Sequence, residues 1–232
     1  MKKVVITGGS VGIGYALALK YFKNNYLVYI LDKQEPIKTK ISDNLIYYKL
    51  DINELEQIKT ILNEIGTIDL LINNAAVQVE KPFLNQTEEE LKTVINTNLL
   101  SPIILTHLIT KEHMNKGGQV FNISSVHGSI PRKNKISYDV SKAGLEMFTK
   151  ELALELAPKI RVNAIAIGAT KTPMNDNFVN EEKAMNSIKK VPLNYIFNSE
   201  DIAEIVFELT SDKFKHMTGS IVVYDGGRSL IG

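Results

Sequence analysis

Residues 4–14 read Val4-Val5-Ile6-Thr7-Gly8-Gly9-Ser10-Val11-Gly12-Ile13-Gly14, a short apolar run, then four glycines within residues 8–14, then a helical pattern that continues to Lys23. A strand that turns through glycine into a helix aims the free backbone N–H groups of the helix start outward, and the missing side chains let an anion approach them. The position suits a pyrophosphate held by Gly8, Ser10, Val11, Gly12, Ile13 and Gly14. The spacing G-x-x-x-G-x-G departs from G-x-G-x-x-G, and no Gly-Lys-Ser/Thr follows, so Walker-type NTPase chemistry is disfavoured.

Outward from this turn the same alternation repeats along the chain. Apolar runs at 4–7, 27–31, 45–50, 68–72, 119–123, 161–167 and 220–224 predict strands, and helical spacing at 12–23, 54–65, 87–114, 138–156 and 200–210 predicts helices, with a broken connection containing Pro36 at 34–44. Strands this apolar are buried on both faces, so helices must cover the sheet above and below. Right-handed crossovers then give an α/β architecture: one doubly wound, seven-stranded parallel sheet in a single domain spanning 1–232. One segment breaks the rhythm. Residues 168–198 hold Pro173 and Pro192 and a short helical piece near 181–190, with no strand of their own. The segment falls at the carboxyl end of the sixth strand, where open α/β sheets bind ligands, and is expected to cover the substrate.

Composition narrows the partners. The 27 Lys+Arg against 26 Asp+Glu leave a net charge of +1, which gives no field to draw a polyanion, so nucleic acid is not expected. The chain has no Cys, which excludes disulfides, thiolate metal sites and a cysteine nucleophile and fits a reducing compartment, the cytoplasm. No 18 apolar residues run together, so no membrane-spanning segment is expected. His107, His113, His127 and His216 have no ligand spacing, and no metal site is expected.

The second strand is followed by Asp32, whose carboxylate can accept hydrogen bonds from a ribose 2′-hydroxyl and repels a 2′-phosphate, which favours NAD over NADP. Lys33 beside it offers a cation to a phosphate and pulls the other way.

Further motifs follow in order: Asp51-Ile52, Asn73-Asn74-Ala75-Ala76, Asn98, Ser125, Tyr138-x-x-x-Lys142 and Asp225-Gly226-Gly227. With the glycine turn they span nearly the whole chain, which in this resembles the short-chain dehydrogenase/reductases in their form with a single Rossmann domain. The resemblance implies an oxidoreductase moving hydride between a nicotinamide cofactor and a small-molecule carbonyl or secondary alcohol. It implies Tyr138 as acid/base, Lys142 as its activator, Ser125 as anchor of the carbonyl oxygen and Asn98 as holder of a water in a proton relay. It also implies that Asp51 and Ile52 flank the adenine, that Asn74, Ala75 and Ala76 line the cofactor trough with Tyr138 and Lys142, and that Gly168, Thr170 and Thr172 lie near the nicotinamide. Relatives assemble as tetramers through two long helices, here 87–114 and 138–156, and a homo-oligomer is expected from their surplus of apolar residues.

The chemistry is coherent without the family. Hydride transfer needs no enzyme nucleophile, only placement of the reacting carbon and management of one proton. A phenol with an ordinary pKa of about 10 is a poor base, and a neighbouring ammonium lowers that value. Tyr138 and Lys142, at i and i+4, share a helix face, so Lys142 is expected to lower the Tyr138 pKa. Ser125 can donate to the substrate oxygen, where charge develops on reduction.

Departures from the family pattern are Ile167-Gly168 where Pro-Gly is usual, Ala76 where glycine is frequent, and Thr170 where a branched aliphatic is commoner. Arg132, Lys133 and Lys135 read as solvated loop charges, with an anionic substrate or carrier protein as the other reading. Two alternatives to an NAD-dependent dehydrogenase stay open at this point: an NADPH-dependent 3-oxoacyl carrier-protein reductase, and a dinucleotide sensor without chemistry.

Overall fold

The computed structural model describes residues 1–35, 42–174 and 188–231. Its strands are β1 (Lys3–Thr7), β2 (Leu27–Asp32), β3 (Leu45–Lys49), β4 (Ile68–Asn73), β5 (Met114–Ser125), β6 (Arg161–Ile167) and β7 (Ile221–Tyr224). They form one parallel sheet of seven strands in the order β3-β2-β1-β4-β5-β6-β7. The helices are α1 (Gly12–Lys23), α2 (Leu55–Ile65), α3 (Glu88–Ile95), α4 (Ser101–Leu108), α5 (Ile136–Leu156) and α6 (Ser199–Leu209).

Alternation along the strands sorts the core into two layers, because successive side chains of a strand point to opposite faces. Val4 and Ile6 of β1 pack with Leu17 and Tyr21 of α1 and Ile202 and Val206 of α6. Val5 packs on the other side with Ile58 and Leu62 of α2 and Leu105 of α4. The chain runs outward from β1 to β3, returns, and runs from β4 to β7 in the other direction. The switch point therefore lies between β1 and β4, and such a crevice at the carboxyl ends of the strands is where a doubly wound sheet binds its ligand.

Three expectations change. Strand β5 begins at Met114 rather than residue 119, since Met114 pairs with Ile68 before a register shift to Leu70 and Gln119; the intervening Asn115-Lys116-Gly117-Gly118 carries no apolar signal. The predicted helix 87–114 is a helical run, Glu88–His113, but five-residue π-type turns at Asn96–Leu100 and Ile109–His113 interrupt it. By length and composition this run could cross a bilayer, which counting unbroken apolar residues did not show. In the fold it is a core helix: Val94, Asn98, Leu105 and Ile109 are all buried. Thr87 lies just before the run and caps it, accepting from the Glu90 N–H while the Glu90 carboxylate accepts from its own. The expected broken connection at 34–44 and short helix near 181–190 fall on residues 36–41 and 181–187, outside the described residues, as does 175–187 of the expected substrate cover.

Candidate active site

The glycine turn sits at the switch point and is locked to β4. The Thr7 hydroxyl accepts from the Asn74 and Ala75 N–H groups at 3.0 and 3.1 Å, and the Asn74 amide donates to the carbonyls of Thr7 and Gly8 at 2.9 Å each. Two of the glycines answer to this packing. A Cβ on Gly14 would stand 2.0 Å from the Gly8 carbonyl oxygen, and one on Gly8 would stand 2.8 Å from the Ala75 Cα. Gly8 and Gly14 thus fit protein against protein. Gly12, at φ +56°, is the glycine beside Thr172 and Pro173 of the segment after β6.

Val11 stands at the N-cap of α1 with no side-chain cap, and the first turn holds no acidic residue. The helix start therefore offers N–H donors and a positive dipole end, a setting that fits the pyrophosphate of a dinucleotide. The Ser10 N–H donates to Asp32 Oδ2 at 2.9 Å and the Gln34 N–H to Oδ1 at 3.0 Å. Asp32 thereby ties the turn to the end of β2, and a carboxylate with about four acceptor positions keeps room for ribose hydroxyls. Lys33 is exposed beside it. Asp51 accepts from the backbone and amide of Asn53, and Ile52 is buried in the core against Leu31 and Ile58.

The catalytic candidates come from β5 and α5. The Tyr138 phenol faces the Ser125 hydroxyl, which acts to lower its pKa. Lys142 is 3% exposed and donates to the Ile123 carbonyl at 2.8 Å, with its Nζ 5.7 Å from the centroid of the Tyr138 ring. Burial pushes the Tyr138 phenol above its ordinary value, and the Ser125 hydroxyl only partly opposes it. The expected net lowering is thereby corrected: Lys142 is turned to a backbone carbonyl, and desolvation of the phenolate outweighs the neighbouring charge. Burial also brings Lys142 down to about 8, while the charge of Glu146 pulls it back up.

Asn98 is buried in the π-type turn Asn96–Leu100. Its Oδ1 accepts from the Val77 N–H at 2.8 Å, and its amide donates to the Val77 carbonyl at 2.8 Å and to Ser141 Oγ at 3.1 Å. Both amide hydrogens thus go to protein partners, while Oδ1 keeps one acceptor position beyond the Val77 N–H. The side chain fixes the backbone after β4 against α5. The widened turn supplies the irregular backbone that places it there.

Beyond β6, Gly168 packs on the Asp225 backbone, where a Cβ would come within 2.7 Å. Thr170 is buried and bridges Phe197, and Thr172 reaches the glycine turn. His127 Nδ1 donates to the Ile130 carbonyl at 3.0 Å, and burial lowers its pKa.

Three residues were missed or misread in the sequence. Lys135 is 2% exposed, pairs with Glu80 at 2.9 Å and donates to Gln78 Oε1 at 2.7 Å. The Gln78 amide in turn donates to the Met174 carbonyl at 2.9 Å. The solvated-loop reading of Lys135 is thereby corrected, since only the tertiary fold brings residues 78 and 80 to it. Glu146, one helical turn beyond Lys142, is the third; its buried face was legible from the i+4 spacing.

A family model described as enoyl-(acyl carrier protein) reductase matches residues 8–229. Glucose 1-dehydrogenase 2 of Bacillus subtilis (strain 168) is 32% identical over 248 residues, covering 99% of this chain and 95% of that protein. A 3-oxoacyl-(acyl-carrier-protein) reductase, FabG, of Thermotoga maritima is 30% identical over 239 residues and 97% of each chain. The structure of a 4-hydroxyisoleucine dehydrogenase complexed with NADH superimposes with a TM-score of 0.92 at 28% identity, over 99% of both chains. A likeness that begins at the first glycine of the turn and runs almost to the C-terminal residue places this chain in the short-chain dehydrogenase/reductase family, as an oxidoreductase that uses a nicotinamide cofactor to interconvert alcohols and carbonyls.

Proposed function

We propose that this enzyme prefers NAD(H) and performs its proton chemistry with Tyr138, Ser125 and Lys142. The observation that carries the reading is the approach of the Tyr138 phenol to Ser125 at the carboxyl end of β5, beside the buried Lys142. A nicotinamide held in this cleft would supply or accept the hydride at the substrate carbon. Ser125 donates a hydrogen bond to the substrate oxygen and orients it. Tyr138 gives its proton to that oxygen in reduction and takes it back in oxidation; its raised pKa keeps the proton in place at neutral pH. The Lys142 ammonium stabilises the phenolate that forms when the proton leaves. Asn98 holds the backbone of residue 77 and Ser141 in register, acting through others rather than on the substrate.

Gly12, Ile13 and Val11 present the anion-binding N–H groups, Asn74 to Ala76 form the neighbouring wall, and Asp51, Ile52, Gly168, Thr170 and Thr172 complete the cofactor cleft. Asp32 supports NAD(H), because its carboxylate accepts ribose hydroxyls and repels a 2′-phosphate. The alternative, an NADPH-dependent 3-oxoacyl carrier-protein reductase, draws on the Thermotoga relative and on exposed Lys33. Exposed Leu100, Ile136, Val140, Met147 and Leu154 on the α3–α4 run and α5 support packing of a second copy, and we assign a cytoplasmic homotetramer.

Tyr138→Phe tests the reading. It keeps the ring and removes the proton, so turnover falls by about 10³-fold while NADH binding, followed by fluorescence titration, stays within a factor of three. Undiminished turnover of a carbonyl substrate would refute the role.

A further inference from the structure

A carboxylate on the sheet-facing side of a long helix is costly unless something requires it, because burial penalises the charged form. Glu146 is such a group. It is 7% exposed in the middle of α5, and among the described residues no cation lies within ion-pair distance of it. Its partners are two hydroxyls: Ser124 Oγ donates to Oε1 at 2.8 Å, and Ser129 Oγ donates to Oε2 at 3.4 Å. Space is kept for it by Gly128, where a Cβ would stand 2.5 Å from Oε1.

Three consecutive residues of β5 meet three residues of α5, spaced at i, i+4 and i+8 along one face. The Ile123 carbonyl accepts from Lys142, the Ser124 hydroxyl donates to Glu146, and Ser125 faces Tyr138. The carboxylate thus closes a seam of which the other two members are the proposed catalytic pairings. Building on the proposed roles of Tyr138 and Lys142, we infer that Glu146 is a positioning residue: it holds the end of β5 that carries Ser125, and its negative charge keeps the neighbouring Lys142 ammonium protonated in a buried site.

The electrostatic surroundings are few. Lys142 feels Glu146 from its own helix, and the β5 end contributes only a carbonyl and hydroxyls. Tyr138 feels Arg132 and Asp139, and His127, on the turn after β5, is coupled to Arg132, Asp139 and Lys135. The Lys142 midpoint near 8 is set chiefly by burial, against which Glu146 acts.

Glu146→Gln separates charge from shape, since the amide oxygen still accepts from Ser124. With Lys142 followed directly by lysine-selective 15N NMR, its midpoint is expected to drop by about one pH unit. The ratio of carbonyl reduction at pH 6 to that at pH 8 then rises about fivefold over wild type, the change expected when a required ammonium titrates one unit lower. Glu146→Asp keeps the charge but shortens the reach to Ser124; its midpoint stays within about 0.3 unit of wild type while kcat falls. An unmoved midpoint in Glu146→Gln, or a drop of a full unit in Glu146→Asp, overturns the inference, and the second readout serves even where the Gln variant does not fold. A moved midpoint with an unmoved pH–rate profile also overturns it, provided Tyr138→Phe is inactive. Because the NMR arm needs no turnover, a fully active Tyr138→Phe instead strikes the proposed catalytic roles and leaves the charge coupling to be judged by its own midpoint.

Discussion

The two walls of the cleft are built by opposite means. On the β1–α1 side, the proposed function rests on atoms that are absent: Gly14 lies against the Gly8 carbonyl and Gly8 against Ala75, just after β4, at distances no Cβ tolerates, and the first turn of α1 is left uncapped. On the β5–α5 side it rests on side chains that interlock, with Lys142, Glu146 and Tyr138 each matched to one of Ile123, Ser124 and Ser125. The first wall is therefore sensitive to added bulk and the second to removed polar atoms, and the two failures have different signatures in binding and in turnover.

The largest effect expected on the first wall comes from Gly14→Ala. Its Cβ would collide with the Gly8 carbonyl oxygen at 2.0 Å, which is backbone and cannot swing aside. Overpacking of this kind costs about 1–3 kcal/mol of stability, and the displaced turn should weaken NADH binding by more than about tenfold, read by thermal denaturation and fluorescence titration. Wild-type affinity would show that the turn tolerates bulk after all. On the second wall, Ser125→Ala removes a donor without adding an atom; kcat should fall by about 10²-fold with NADH affinity retained. Loss of binding there would erase the distinction between the walls.

Smaller effects sharpen the contrast. Asp32→Asn removes the charge that repels a 2′-phosphate, and the NADPH/NADH ratio of kcat/KM should rise by about tenfold, equivalent to about 1.4 kcal/mol. The smallest effect is a matter of pH. Lys142 titrates near about 8 because burial lowers it, so it is charged below that pH and neutral above. Carbonyl reduction should be level from pH 6 to 7 and fall to half near pH 8, and a profile flat to pH 10 would separate Lys142 from the chemistry.

Much of this was legible in the residues. All seven strands were found, because parallel strands buried on both faces write continuous apolar runs into the sequence. The runs failed where glycine carries the strand, as at Gly117-Gly118 in β5, and where helical periodicity hides a widened turn, as at Asn96–Leu100. In the site, Ser125, Tyr138 and Lys142 were identifiable by order and type, whereas the partners of Lys135 and the spent amide of Asn98 were not, since each depends on residues far away in the chain.

What the sequence determined by itself is local: the periodicities that make strands and helices, the glycines that free a turn, and the four-residue spacing that sets Tyr138, Lys142 and Glu146 on one face. What the tertiary structure decided is the sign and strength of their interactions. A buried lysine turned to a carbonyl, a phenol raised rather than lowered, and an asparagine consumed by the backbone of Val77 all follow from how much water the fold removes and which distant group takes its place. Desolvation is a property of the packed ensemble of elements, and no spacing within one element encodes it.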